Sequence, residues 1–274
     1  VADEDTGATT KFISEYHELP ADIHTVGLWH MNEASGNLAD SSGNGNTGTP
    51  TGTTVVAGKF GNARSFNGTS DYLNCGSGAS LNINDNITVE AWYKHTANMT
   101  SYNDIVNKDR WAIQFRSGQN SEIGFEVATP GWSRVNCPSN TNDGNWHHVV
   151  GVYDKDGGAN NLKIYFDGSL YNTATVTGAI ASTANPAMIG AYSPPASYFF
   201  NGLIDEVRIL NRALTPEEIK ADAQRRPYGV YTSQAIDLGA PPSSFHPLTW
   251  TEEGVQTGDG ETLYSSTNLV AQWN

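Results

Sequence analysis

At 274 residues the chain has room for one large or two small domains with a sizeable core. Only 16% of its residues are charged, and 29 acidic against 15 basic side chains leave a formal charge of −14, which argues against nucleic acid as a partner. No apolar run is long enough to span a membrane, and abundant Gly, Thr, Ser and Asn suit the turns and exposed strand faces of an all-β extracellular protein.

Residues 1–25 carry acid and Thr with little periodicity and read as an arm or a lead-in strand. No secretory leader is visible in the opening VADEDTG, so export would imply a mature form or an excised piece. From Val26 to about Leu210 the chain is rich in short strands: VGLWHM, ARSFNG, DYLNCG, ITVEAWYK, DIVNK, WAIQFRS, EIGFEV, WHHVVGVYD, LKIYFDG, LYNTATV and LIDEVRIL. Most alternate apolar and polar residues between Gly, Asn, Asp or Pro, the pattern of half-buried antiparallel strands. Asp167-Gly168 predicts a tight hairpin turn. So many short strands predict an antiparallel two-sheet β-sandwich of the jelly-roll kind.

One helix is predicted. Thr215, Pro216 and Glu218 form a capping box with proline at the first helical position, and Arg225 and Arg226 suit the far end before Pro227. Residues 227–274 change texture and read as a β extension or part of a second β module, leaving 26–226 as the main domain. Cys75 and Cys137 have no CxxC spacing, so zinc and redox readings lack support; one disulfide or two buried thiols both remain open. Asn67, Asn86 and Asn98 each begin an Asn-x-Thr acceptor pattern, meaningful only in a eukaryotic secretory setting.

The ordered set GLWHMNEASGNLADSSGNGNTG, GKFGNARSFNGTSDYLNCG, ITVEAWYK, NWHHVVGVYD, KIYFDG and NGLIDEVRILNRALTPEEI resembles the laminin G-like jelly rolls of the concanavalin A-like lectin/glucanase superfamily, over about residues 26–224. The resemblance implies two stacked sheets of roughly six or seven strands, with the first and last strands of the domain adjacent. It also implies a structural calcium where the loop after the first strand meets the last strand. Carried onto this chain, its ligands are Glu33, Asp40, Asn46 and Asp205. Calcium accepts six to eight oxygens, carbonyls included, so a Gly-rich loop suits it. The alternative is that Asp40 starts an Asx turn and Asp205 only hydrogen-bonds the loop.

No catalytic motif is found. The Glu-x-Asp-x-(x)-Glu strand signature of glucanases on this fold is absent, and adjacent residues such as Asp205 and Glu206 point to opposite faces of a regular strand. His147 and His148 likewise read as separate sheet-surface or half-buried residues. Binding is the better prospect: Tyr102, Trp111, Trp132, Tyr192 and Tyr198 sit in loop-like or strand-edge positions where a sugar ring could stack, Tyr192 and Tyr198 flanking the stiff SPPAS. The expectation is a non-enzymatic, secreted or cell-surface carbohydrate-binding or adhesion module, stabilised by calcium. The alternative is a structural subunit of a surface layer, fibre or appendage, joined to neighbouring copies by strand addition through residues 1–25 and 228–274.

Overall fold

The computed structural model describes residues 13–15, 18–96, 102–116, 122–137, 141–193, 196–225 and 228–230. The chain divides into two units, Tyr16–Tyr228 and a second made of Val1–Glu15 with Gly229–Asn274. Of the second, only parts of the short paired strands β1 (Ile13–Glu15) and β17 (Tyr228–Val230) are described. The expected assembly role of the two end segments therefore lies almost entirely outside the described residues.

The larger unit is a two-sheet antiparallel sandwich. Its strands are β2 (Thr25–Trp29), β3 (Thr49–Thr51), β4 (Thr54–Ala57), β5 (Asn62–Asn67), β6 (Tyr72–Asn74), β7 (Ile87–Lys94), β8 (Asn103–Asn107), β9 (Trp111–Phe115), β10 (Ile123–Ala128), β11 (Trp132–Asn136), β12 (His147–Tyr153), β13 (Leu162–Phe166), β14 (Ser169–Ala174), β15 (Met188–Ile189) and β16 (Asn201–Leu210). One sheet of seven strands runs β11-β10-β9-β8-β15-β6-β3. The other, of eight, runs β14-β13-β12-β7-β16-β5-β4, with β2 also paired to β16. The first strand of the sandwich and its last are therefore neighbours, Val207 opposite Trp29, as the resemblance implies.

Inward-facing positions of both sheets make one core, in which Trp29, Tyr93, Phe115, Phe125 and Tyr153 are fully enclosed. The sheets approach closely at Gly151, where an added Cβ would lie 2.1–2.6 Å from the Phe125 ring. Cys75 and Cys137 are both free and buried; they serve as small core residues, and burial pushes both thiols up. Asp167 and Gly168 take left-handed φ values of 47° and 78° and close the β13–β14 hairpin, as predicted.

The helix α1 (Pro216–Ala223) has the predicted capping box, with Thr215 and Glu218 satisfying each other's backbone amides. With the segment before it, α1 covers the outer face of the eight-stranded sheet, where Val150, Val152, Tyr165, Leu210, Leu214 and Ile219 form a second apolar cluster. Arg208 fixes it there, reaching Glu90 at 2.5 Å on β7 and Asp222 at 2.5 Å on the helix. His148 belongs to this buried network, its Nε2 3.1 Å from Glu90 and its ring stacked on Trp92, so the sheet-surface reading of His148 is corrected. The helix lid turns an otherwise exposed strand face into interior.

Candidate functional site

With one outer sheet face covered by α1, the outer face of the seven-stranded sheet becomes the candidate site. Strand parity decides what it presents. Ile113 and Phe115 of β9, Ile123, Phe125 and Val127 of β10, and Val135 of β11 point into the core. The opposite parity sends Gln114, Glu126, Trp132, Arg134 and Asn136 outward, with Glu126 opposite Arg134 and Gly124 opposite both Gln114 and Asn136. On β8 a bulge lets Ile105 and Val106 both face the core, and Asp104 and Asn107 flank it on the outer face.

These side chains form a polar row across the sheet. Arg134 donates through Nη1 to Glu126 (3.2 Å), through Nη2 to the Gln114 carbonyl (2.9 Å) and through Nε to Asn136 (2.5 Å). The Gln114 amide also donates to Glu126. Gly124 leaves the space the guanidinium occupies: a Cβ there would sit 2.6 Å from the Arg134 group. Asp104, opposite Gln114, is wholly enclosed, and neither of its oxygens has a hydrogen-bond partner. Burial, reinforced by the Glu126 charge, pushes its carboxyl well above the usual range against the pull of Arg134 and Asn107. Burial also raises Glu126, opposed chiefly by Arg134.

Aromatic rings border this row. Tyr198 is 43% exposed and lies 5.4 Å from Tyr102 and 5.6 Å from Tyr192, centroid to centroid. Its carbonyl accepts the Asp104 amide at 2.9 Å, and the Tyr192 hydroxyl donates to Asp109 at 3.0 Å, which ties the cluster to both ends of β8. Trp132, 54% exposed, shares the outward parity of Arg134. Four of the five aromatics expected to contact ligand therefore lie in or beside the outer face. The fifth, Trp111, is corrected: it is 2% exposed and belongs to the core, on the inward parity of Ile113 and Phe115. A separate cleft of about 490 Å³, lined by Asn44, Asn82, Asn84, Asp85, Asn86 and Asn211, opens beside the start of β7 and carries no aromatic ring.

The seam between the first and last strands is built differently from the expected calcium site. Asp40 accepts the amides of Leu28 and Ser42 (3.0 Å each) and Asn46 (2.8 Å), making an Asx turn that staples its own loop. Asn46 turns inward, its amide donating to the Val26 carbonyl at 2.8 Å and to Ser80 at 3.0 Å. Glu33 accepts the Ala39 amide at 2.7 Å. Asp205 is buried and accepts the amides of Lys59 (2.8 Å), Phe60 (2.9 Å) and Glu206 (2.8 Å). Glu33 Oε2 is buried without a partner, but Asp40 and Asp205 spend both carboxylate oxygens on separate amides and the ligating atoms of Glu33, Asp40 and Asp205 do not converge among the described residues, so the set does not fit the calcium the resemblance implies. Burial, with the adjacent Glu206 charge, raises the Asp205 carboxyl despite those amides.

Among the described residues one triad of ligating atoms does converge, all within 4.8 Å: Glu18, His30 and Glu206. His30 Nδ1 is 2.9 and 3.0 Å from the two Glu206 oxygens and 3.6 Å from Glu18, and the Leu19 amide donates to Glu206 at 2.7 Å. Burial opposes charge on the imidazole, but Glu206 and Glu18 outweigh it and raise the His30 pKa. The triad can hold a metal ion; equally, a proton on His30 already offsets one of its two carboxylate partners. Sequence reading missed it because the register shifts between Asp205 and Arg208 and Glu206 takes φ +47°, so strand parity does not describe where Asp205 and Glu206 point.

A model of the concanavalin A-like lectin/glucanases superfamily, laminin G type, matches residues 67–220. The chain belongs to that family. No curated protein matches it. Among solved structures, this laminin G-like chain superposes on the binding domain of Paraclostridial Mosquitocidal Protein 1 with a TM-score of 0.58 at 16% identity, covering 73% of this chain and 52% of that one. Domain 4 of AbnA, a GH43 extracellular arabinanase from Geobacillus stearothermophilus solved in complex with arabinotriose, gives 0.55 at 24% identity, covering 73% and 98%. A structure of botulinum neurotoxin type C, whose cell entry depends on interaction with two ganglioside molecules, gives 0.55 at 15% identity, covering 73% and 50%. The laminin G-like chain thus spans about half of the toxin chains and nearly all of the arabinanase domain. These likenesses establish the sandwich fold.

Proposed function

We propose that the domain is a non-catalytic glycan-recognition module of an exported or surface protein, and that it binds through the outer face of the seven-stranded sheet. The observation that carries this reading is the Tyr102–Tyr192–Tyr198 cluster beside the row Gln114, Glu126, Arg134 and Asn136. An exposed ring offers a π face to the C–H surface of a sugar, and fixed amide, carboxylate and guanidinium groups match its hydroxyls. Two structural neighbours support the ligand class: one was solved with arabinotriose, and the cell entry of the other depends on interaction with two ganglioside molecules. The reading needs no metal at the seam.

The test is a glycan array followed by calorimetry, with arabino-oligosaccharides and sialylated glycans among the probes. The expected result is binding that weakens by about tenfold, or about 1.4 kcal/mol, in Tyr198→Ala, with the melting temperature unchanged. Trp132→Ala measures how far along the face the ligand reaches. An array with nothing above background, or a Tyr198→Ala variant that binds like the wild type, overturns the reading.

A further inference from the structure

The cleft of about 490 Å³ beside the start of β7 is walled by asparagines from segments far apart in sequence: Asn44 in the loop after β2, Asn82, Asn84 and Asn86 ahead of β7, and Asn211 just past β16. Most are held by one end only. The Asn44 amide donates to the Thr25 carbonyl (3.2 Å) and to Ser42 (3.1 Å), and the Asn84 amide to the Ile180 carbonyl (2.8 Å) and to Ser182 (2.9 Å). Asn86 is held by its oxygen, which accepts the Lys155 amide at 2.9 Å. These backbone partners have fixed polarity, so they settle which end of each side chain is tied and which is free. Asn44 and Asn84 keep a free acceptor oxygen, and Asn86 keeps a free NH2 donor. Asn211, tied through Oδ1 to His24 at 3.1 Å, adds a second donor, and the exposed Asn82 makes no side-chain hydrogen bond among the described residues.

The set is uncharged, held in place and mixed in polarity. Free oxygens and free N–H groups on one surface match hydroxyls, each of which both donates and accepts. A bare cation takes only acceptors, so the donor ends of Asn86 and Asn211 do not suit it. An anionic ligand is opposed by Asp85, the one charged side chain of the lining, which Lys155 meets only at 3.8 Å, and by the formal charge of −14. Ile23 also lines the cleft and is 94% exposed, so its side chain packs against almost nothing of the protein and offers C–H surface to an occupant. Polar walls with an apolar pad reverse the make-up of a pocket for a drug-like molecule and suit a sugar ring, which carries hydroxyls at its edge and C–H groups on its faces.

We infer that this cleft is a second saccharide site, selective for neutral glycans, in which the asparagine amides take the hydroxyls and Ile23 takes the ring face. It shares no residue with the Tyr102–Tyr192–Tyr198 cluster or with the Arg134 row, and it has no aromatic platform. The two sites differ in place and in chemistry, so the failure of either reading leaves the other standing.

The experiment is NMR on the full-length chain with its side-chain NH2 signals assigned, titrated with arabinotriose, xylotriose, maltotriose, sialyllactose and calcium at millimolar concentration. At least one neutral trisaccharide is expected to move the NH2 signals of Asn82, Asn86 and Asn211, while sialyllactose and calcium leave them in place. Asn82→Ala breaks no hydrogen bond of the fold, and Ile23→Ser removes a side chain that packs on almost nothing, so both should keep the wild-type melting temperature. Each is expected to weaken the neutral trisaccharide about fivefold, the worth of one good contact. Shifts confined to Gln114, Trp132 and Asn136 would support the outer face and overturn the cleft. The inference is also overturned if no neutral probe moves the cleft signals, if sialyllactose or calcium moves them as strongly, or if either variant binds like the wild type.

Discussion

Replacing Asp205 by alanine separates two ways of holding the first and last strands together. The carboxylate is enclosed, Oδ2 accepting the Lys59 and Phe60 amides and Oδ1 the Glu206 amide. The bonds from Phe60 and Glu206 are fully buried, so their amides would be stranded by truncation at about 1–3 kcal/mol each. Relief from burying a carboxylate whose pKa is raised offsets part of that loss, leaving a net destabilisation of about 3 kcal/mol. For a unit of this size each kcal/mol moves the midpoint by about 2–4 °C, so a fall of about 6–12 °C is expected. Calorimetry or thermal unfolding followed by tryptophan fluorescence reads it. The fall should be the same in calcium and in chelator, because both oxygens are already engaged by amides of the protein. Asp205→Asn keeps one acceptor and should lose about 1–2 kcal/mol. A fall in calcium that vanishes in chelator would refute the reasoning and make Asp205 a metal ligand.

His30 gives a pH signature. Its folded pKa is raised, so its contribution is complete below the unfolded value of about 6.5 and is lost as pH rises through the folded value. In urea titrations His30→Gln should flatten that decline only partly, since His147, raised by Asp167 and Asp143 against burial, acts in the same window; an unchanged profile would refute it. Gly151→Ala drives a methyl into the Phe125 ring and should cost about 3 kcal/mol in urea unfolding, where a near-neutral result would refute such close sheet packing. Cys75 and Cys137, free and buried, should both resist a thiol reagent in the native state and both react in denaturant; native labelling, or absence of reaction after unfolding, would contradict this.

Most of the sandwich was legible in sequence because alternation reports burial directly. The helix was legible because Thr215, Pro216 and Glu218 carry cap chemistry within four positions, and the β13–β14 hairpin because Asp167-Gly168 tolerates left-handed backbone. What escaped depends on departures from regular strands or on distant partners. The bulge after Asp104 places two successive apolar residues inward, and the irregular Glu206 turns a carboxylate toward a histidine 176 positions away. Nothing near His30 in VGLWHM announces that pairing. Trp111 is different, since WAIQF contains its own warning: Trp111, Ile113 and Phe115 share one parity, and three large apolar residues on one face of a strand point to the core.

The placement of β16 has a consequence for how the polypeptide matures. The strand lies between β7 on one edge and β5 with β2 on the other, so the eight-stranded sheet is two unconnected pieces until residues 201–210 arrive. On a ribosome this is among the last parts of the sandwich to emerge, and β2, among the first, waits through nearly the whole synthesis with an open edge. Closure is thus a single late event spanning the domain, of the high-contact-order kind that is slow and leaves nascent chains dependent on protection from aggregation. Nascent chains stalled before residue 201 should remain protease-sensitive along their entire length, with resistance arriving in one step once β16 is free.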